Sequence, residues 1–144
     1  MPVALRLSRL TKLRAGSLPV LTCFEPVQAG FPSPAEDYRE KPLNLNKILM
    51  KKPMTTFAFR VVGDSMTGAG IHSGDVVIVD RAEKPREGRI IIAAVNGEWT
   101  VKRLGPKGKK QLLLPENPAH KPIAVDKSDE LRVFGVVTHV IHSY

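Results

Sequence analysis

The sequence predicts a mostly β, twisted and partly closed fold with one short helix and an extended N-terminal arm. Three observations indicate this fold: short apolar stretches of strand length, a hairpin signal at Asn96-Gly97, and 12 prolines and 11 glycines among 144 residues. The composition, 42% hydrophobic and 25% charged, is typical of a folded domain of this size. No apolar run approaches the ~20 residues that a membrane-spanning helix needs, which excludes an integral membrane protein.

The front of the chain is a basic arm. Residues 1–29 hold four basic residues and one acid, a net charge of +3 out of +8 for the whole chain. The basic residues interrupt every apolar stretch, so we do not expect a secretory signal. We expect a mobile, partly ordered arm; an organelle-targeting helix and a nucleic-acid-binding arm are the alternatives.

Two elements are expected before the main β region. Residues 21–34 are interrupted by prolines, which favour extended neighbours, and they predict an extended linker. Residues 44–50 predict a short helix capped by Asn44, with Leu45, Ile48 and Leu49 on one face.

The rest of the chain predicts strands joined by turns, without internal repeats or low-complexity segments. A sharp turn at Gly63-Asp64-Ser65 ends the first strand. The predicted strands are Phe57–Val62, Asp75–Asp80, Arg89–Val95, Glu98–Leu104, Gln111–Leu114 and Val133–Ile141.

Two of these segments carry candidate catalytic residues. Ser65 lies just beyond a strand end, where a rigid scaffold holds its hydroxyl near free backbone N–H groups. Strand alternation places Thr100, Lys102 and Leu104 on one face of their strand. If that face is buried, the pKa of Lys102 falls, and a neutral amine can act as a general base with Thr100 orienting it.

Together, Ser65 and Lys102 are the parts of a Ser–Lys hydrolytic dyad, which needs no histidine. Around them, GDSM, GDVVIVD, the hairpin IIAAVNGEWTVKRL and FGVV resemble the LexA/signal-peptidase-like group of serine proteases. More narrowly, VQAGFPSPAEDY, LNLNKIL, GDSMTGAGI and FGVVTHVI resemble its UmuD-like branch of self-cleaving accessory subunits of bacterial DNA polymerase V. The resemblance runs from about residue 27 to about residue 141, with the motifs in the same order.

This resemblance implies that Ser65 is the nucleophile and Lys102 the general base, with oxyanion donors from the backbone around Asp64 and Ser65. It implies self-cleavage at Ala29–Gly30, where small side chains let the peptide approach the serine. The arm 1–29 would be removed, and residues 30–144 would form the peptidase domain. Val27 and Phe31 are candidate anchors of the cleavable segment.

The resemblance also implies a biological setting. A RecA filament on single-stranded DNA would stimulate cleavage in the SOS response to DNA damage. The trimmed chain would then assist UmuC in translesion synthesis as a homodimer in the cytoplasm. Direct contact with DNA is left open, with the basic turn Lys107–Lys110 as one candidate surface.

Other candidate sites are weaker, and we expect neither a cofactor nor a metal. His139 and His142 would face opposite ways on a strand and make a poor metal pair, and His72 and His120 lie in turn-like segments where we expect them to be solvated. Cys23, the only cysteine, excludes an intrachain disulfide and fits a reducing compartment. Trp99 and Phe134 are expected in the core or at an interface.

Two other functions compete with this interpretation. A truncated LexA-like transcriptional regulator would use the basic arm to contact DNA, although 29 residues are too few for a helical DNA-binding domain. A signal-peptidase relative would act on other proteins, but the sequence offers no membrane anchor.

Overall fold

The computed structural model describes residues 21–23, 28–31 and 41–144. Among these, Lys52–Tyr144 form one compact unit, and the described residues of Lys12–Lys51 belong to a second unit. In the described part of the chain, no helix is both long and apolar enough to span a membrane.

The second unit contains two short strands and the predicted helix. Strand β1 (Leu21–Cys23) pairs antiparallel with β2 (Lys41–Leu43), and helix α1 (Leu45–Leu49) follows. The helix is confirmed, and its cap is Asn44, whose Oδ1 accepts from the N–H groups of Asn46 (3.0 Å) and Lys47 (3.4 Å).

The expectation of a linker over residues 21–34 is wrong at its start. Extended backbone favoured by proline has unpaired N–H and C=O groups, and at β1 these groups find a partner some 20 residues away. Apart from residues 28–31, the remainder of the predicted linker lies outside the described residues.

The larger unit is built on a seven-stranded antiparallel sheet. Its strands are β3 (Thr56–Arg60), β4 (Val76–Asp80), β5 (Ile90–Val95), β6 (Glu98–Lys107), β7 (Gln111–Leu114), β8 (Ile123–Val125) and β9 (Leu131–Ile141). Their spatial order is β3-β4-β9-β5-β6-β7-β8. There are two 3₁₀ turns: Pro53–Thr55 directly precedes β3, and Thr67–Ala69 follows the candidate serine.

All six predicted strands are present: Gln111–Leu114 has the predicted bounds, and the other five differ by one to three residues at one or both ends. The hairpin between β5 and β6 turns at Asn96 (φ 49°) and Gly97 (φ 83°), as the Asn-Gly signal predicts. Strand β6 runs three residues beyond its predicted end, to Lys107, so that the exposed basic turn at residues 107–110 lies at the next hairpin. Strand β8 was missed, because three residues give too short an alternating pattern.

The sheet curls strongly. Strands β3 and β6 are four positions apart, which in a flat sheet would separate them by about 19 Å at ~4.8 Å per strand. Yet the rings of Phe59 on β3 and Trp99 on β6 have centroids only 6.4 Å apart. One core cluster also joins Phe59 with Ile92 and Val101 from β5 and β6. The predicted mostly β, partly closed fold is therefore confirmed.

A second core cluster packs against the opposite face of β5. It consists of Ile91, Ala93, Leu113, Val125 and Val136. Because β5 contributes alternate residues to the two clusters, both of its faces are buried. Strand β5, which pairs with β6, is therefore packed on both sides.

Candidate active site

Ser65 lies in a loop that leaves β3 and returns to β4. The loop is closed at its base by two backbone hydrogen bonds of 2.8 Å, from Val61 N–H to the Asp75 carbonyl and from Gly74 N–H to the Val61 carbonyl. Gly63 has a φ of +106°, a conformation that side chains disfavour, and it turns the chain into the serine. The residue after the serine, Met66, is only 2% exposed and anchors the loop in the core.

Lys102 reaches this serine from β6, where it pairs with Ile91 of β5. The lysine is 8% exposed, and its Nζ lies 2.7 Å from the Ser65 Oγ. Nζ also lies 2.9 Å from the Thr100 Oγ1 and 3.0 Å from the Val101 carbonyl oxygen. The structure thus brings together three residues that the sequence singled out.

Burial lowers the pKa of Lys102 from its ordinary value, because desolvation disfavours the ammonium. The surrounding atoms also suit the neutral amine, which has two N–H groups and one lone pair. The N–H groups can donate to Thr100 Oγ1 and the Val101 carbonyl, which leaves the lone pair for the proton of the Ser65 hydroxyl. The pair can therefore transfer a proton from serine to lysine.

A second loop, residues 115–120, holds the serine loop in place. The Glu116 N–H donates to the Ser65 carbonyl (2.8 Å), and the Gly68 N–H donates to the Glu116 carbonyl (2.7 Å). The Asn117 amide donates to the Asp64 carbonyl at 2.8 Å. We call Glu116 and Asn117 the loop clamp.

The loop clamp is itself attached to β6. The Arg103 guanidinium forms an ion pair with the Glu116 carboxylate and donates to the Gly88 carbonyl at 2.6 Å. Since Arg103 is next to Lys102 in sequence, the strand that carries the amine also fixes the loop that holds the serine. The clamp was not predicted from the sequence, because its only local signal is the polar pair Glu116-Asn117 after an apolar strand.

Asp64 directly precedes the candidate nucleophile. Within the described residues, neither Asp64 nor Ser65 donates its backbone N–H to a backbone carbonyl. The Asp64 carboxylate instead contacts His120, with 2.7 Å between its Oδ1 and the ring Nε2. His120, expected to be solvated, is partly exposed but bonded to the loop of the serine.

The predicted scissile bond, Ala29–Gly30, lies in the other unit, which contains Lys12–Lys51. Ala29 and Gly30 lie in an exposed bend, and Phe31 is 94% exposed. Among the described residues, no atom lies within 4 Å of a Cβ placed on Gly30. Val27 and the side chain of Cys23 lie outside the described residues.

Three further residues that the sequence did not connect lie together and have side chains of the types that can bind a metal: His72, Asp75 and His142. His142 lies just beyond the end of β9, and its ring lies 5.1 Å from that of His72. His72 is exposed, as expected of a solvated residue, but it also belongs to this group. The relevant signal was the register between β4 and β9, which local patterns do not give.

A serine hydroxyl in contact with a buried amine, on a curled β sheet, is the arrangement of a serine peptidase that works without histidine. A family model described as Peptidase S24-like matches residues 20–138. The chain belongs to the Peptidase S24-like family.

Individual relatives cover most of the chain. Protein SamA of Salmonella typhimurium is 52% identical over 114 residues, 79% of this chain and 79% of its own length. Protein ImpA of Escherichia coli is 49% identical over 123 residues, 80% and 78% of the two chains. Protein MucA of Escherichia coli is 40% identical over 114 residues, 78% and 77%. The predicted resemblance to UmuD-like proteins is confirmed.

Proposed function

We propose that this chain is a self-cleaving serine endopeptidase that cuts its own Ala29–Gly30 bond, with Ser65 as nucleophile and Lys102 as general base. The observation that carries the proposal is the 2.7 Å contact between Lys102 Nζ and Ser65 Oγ, made by a lysine that is 8% exposed. Membership of the Peptidase S24-like family supports the reaction class.

The first half of the reaction forms an acyl-enzyme. Neutral Lys102 takes the Ser65 proton as Oγ attacks the Ala29 carbonyl carbon, and backbone N–H groups around Asp64 and Ser65 stabilise the oxyanion. The tetrahedral intermediate collapses by breaking the Ala29–Gly30 bond. Lys102 returns the proton to the departing Gly30 amine, which leaves Ala29 esterified to Ser65.

The second half releases the arm. Lys102, neutral again, takes a proton from a water that attacks the ester, and returns it to Ser65 Oγ as the ester bond breaks. Residues 1–29 leave with a new carboxylate at Ala29, and residues 30–144 keep a free serine. Because Thr100 contacts Nζ on a rigid strand, it orients the amine in both steps.

Tethering replaces substrate binding, since the scissile bond belongs to the same chain or to a second copy of it. The exposed bend at Ala29–Gly30 supports access to this bond, as does the space around Gly30 with respect to the described residues. Control of the reaction then lies in how often the bond occupies the active site, and a partner that binds this pose accelerates cleavage.

The UmuD-like resemblance supports the rest of the proposal. The activating partner is a RecA filament on single-stranded DNA, formed in the cytoplasm during the SOS response. The trimmed chain, residues 30–144, acts as a homodimeric accessory subunit with the UmuC polymerase in translesion synthesis. The family match and the three relatives support this assignment at the level of the protein class.

The test incubates the purified full chain with RecA, single-stranded DNA and a nucleoside triphosphate, and follows intact mass. We expect loss of residues 1–29 in the wild type and no cleavage in Ser65→Ala or Lys102→Ala. Matched controls are Ser143→Ala and Lys107→Ala, which change an exposed serine and an exposed lysine of the same domain.

Two results would contradict the proposal. A fragment ending at a residue other than Ala29 would show that the cleavage site is not Ala29–Gly30. Undiminished cleavage by Lys102→Ala would show that Lys102 is not the general base. If the chain stays intact and residues 1–29 bind duplex DNA in a salt-sensitive manner, the LexA-like regulator is favoured instead.

A further inference from the structure

Three side chains that take no part in the Ser–Lys pair converge at the N-terminal end of β4. They are His72, Asp75 and His142, and each offers one ligand atom within 4.8 Å of the others. Imidazole nitrogens and a carboxylate oxygen are common metal ligands. The group therefore needs an explanation of its own.

The strand register builds one half of the group. In the antiparallel pair β4–β9, Val76 is opposite Ile141, so the next residues outward, Asp75 and His142, face each other across the strand ends. The His142 Nδ1 lies 2.5 Å from the Asp75 Oδ1. This contact joins residues 67 positions apart in sequence.

A tight turn builds the other half. The Asp75 N–H donates to the His72 carbonyl at 3.0 Å, and the His72 N–H donates to the Asp75 Oδ2 at 2.8 Å. The same Oδ2 lies 3.8 Å from the His72 ring Nδ1. One carboxylate oxygen thus faces each histidine ring.

The group combines one buried carboxylate with two exposed imidazoles, which suits a metal site that solvent can reach. Asp75 is 3% exposed and is held by the His72 N–H, so it is a fixed anchor with an oriented carboxylate. The side chains of His72 and His142 are 50% and 37% exposed, so they can adjust. Solvent can reach a metal bound between them.

We infer that His72, Asp75 and His142 bind a divalent transition-metal ion of the zinc class, with water in the remaining position. Two nitrogens and one oxygen are a zinc-type donor set, whereas Mg²⁺ and Ca²⁺ prefer oxygen donors alone. Bonds of ~2.0–2.1 Å to a tetrahedral ion separate ligand atoms by roughly 3.3 Å. To reach this spacing, the distance between His142 and Asp75 would increase slightly, and the exposed His72 ring would move closer to Asp75.

The ion would join two distant parts of the chain. It would connect the turn that begins β4 to the end of β9, near the C-terminus. Since the unfolded chain does not bring residues 72 and 142 together, binding favours the folded state and raises the melting temperature.

The experiment titrates Zn²⁺ into the full chain in competition with a chromophoric chelator, and also measures melting temperature. All proteins carry Ser65→Ala so that the chain stays intact. We expect one Zn²⁺ per chain and a higher melting temperature with zinc. Cys23→Ser should bind equally well, because the three inferred ligands do not include this thiol.

The key variants separate metal binding from structural hydrogen bonding. His142→Asn keeps an N–H donor where Nδ1 faces Asp75 but removes the imidazole, and His72→Ala keeps the backbone N–H that holds Asp75. Each should weaken Zn²⁺ binding at least tenfold, since changes behind a ligand already cost about 10–100-fold. His139→Asn, on the same strand but outside the group, should bind as the parent does.

Three results would overturn the inference. The first is zinc affinity equal in the parent and in the double variant His72→Ala/His142→Asn. The second is an equal loss of zinc affinity in His139→Asn and His142→Asn. The third is a preference for Mg²⁺ over Zn²⁺ in the parent.

Discussion

The protonation state of Lys102 gives the most direct test of the proposed mechanism, because pH changes it without any mutation. Burial lowers the pKa of Lys102 from 10.5, and only the neutral amine can accept the Ser65 proton. Below the lowered pKa, the neutral fraction rises tenfold for each pH unit. Self-cleavage without RecA should therefore accelerate about tenfold per pH unit and level off before pH 10.5 is reached.

The assay follows intact mass over time from pH 6 to pH 10.5 at constant ionic strength, without RecA, so that only the chain titrates. Lys102→Arg is the matched control, since a guanidinium stays charged throughout this range and should show no cleavage at any pH. A flat profile in the wild type, or alkaline cleavage in Lys102→Arg, would refute the role given to the amine.

The other predictions concern stability and the loop around the serine. Lys102→Met should be more stable than the wild type at pH 7, because it removes a buried amine whose charged form is disfavoured. By linkage the wild type gains about 1.4 kcal/mol per pH unit between the lowered pKa and 10.5, so the difference in denaturant unfolding should shrink over that window. Gly68→Ala would place a Cβ 2.5 Å from the Glu116 carbonyl oxygen, and should slow cleavage and cost about 1–3 kcal/mol of unfolding free energy; an unchanged rate by mass would contradict the loop clamp. Phe59→Ala, which empties a position that is 2% exposed in the shared core, should cost about 3–5 kcal/mol in urea unfolding, and a loss below 1 kcal/mol would contradict its role in closing the sheet.

Features governed by neighbouring residues were predictable from the sequence. The Asn96-Gly97 turn follows from the positive φ that both residues tolerate, and the Asn44 cap follows from a short side chain that reaches the next N–H groups. Alternation along β6 placed Thr100 and Lys102 on one face, and in the structure the Thr100 hydroxyl contacts the same Lys102 amine that contacts Ser65.

Features governed by distant pairing were not predictable in the same way. The β1–β2 pair and the opposition of Asp75 and His142 both depend on which strands become neighbours and in what register. The loop clamp also depends on distant pairing, because Glu116 contacts Ser65 only after β6 and β7 have joined the sheet. A single sequence does not display such pairings, because the residues involved carry no local signal of one another.

The candidate site depends on the closure of the sheet more than on either of its two residues. Ser65 follows β3 and Lys102 lies on β6, four positions away, so an uncurled sheet would leave their atoms too far apart to share a proton. The core that joins β3 to β6 closes this distance, and the ion pair between Arg103 and Glu116 ties the serine loop to the strand of the lysine. The same closure removes water from the amine and lowers its pKa. Proximity and basicity therefore arise from one structural event, and the dyad can form only once the chain has folded.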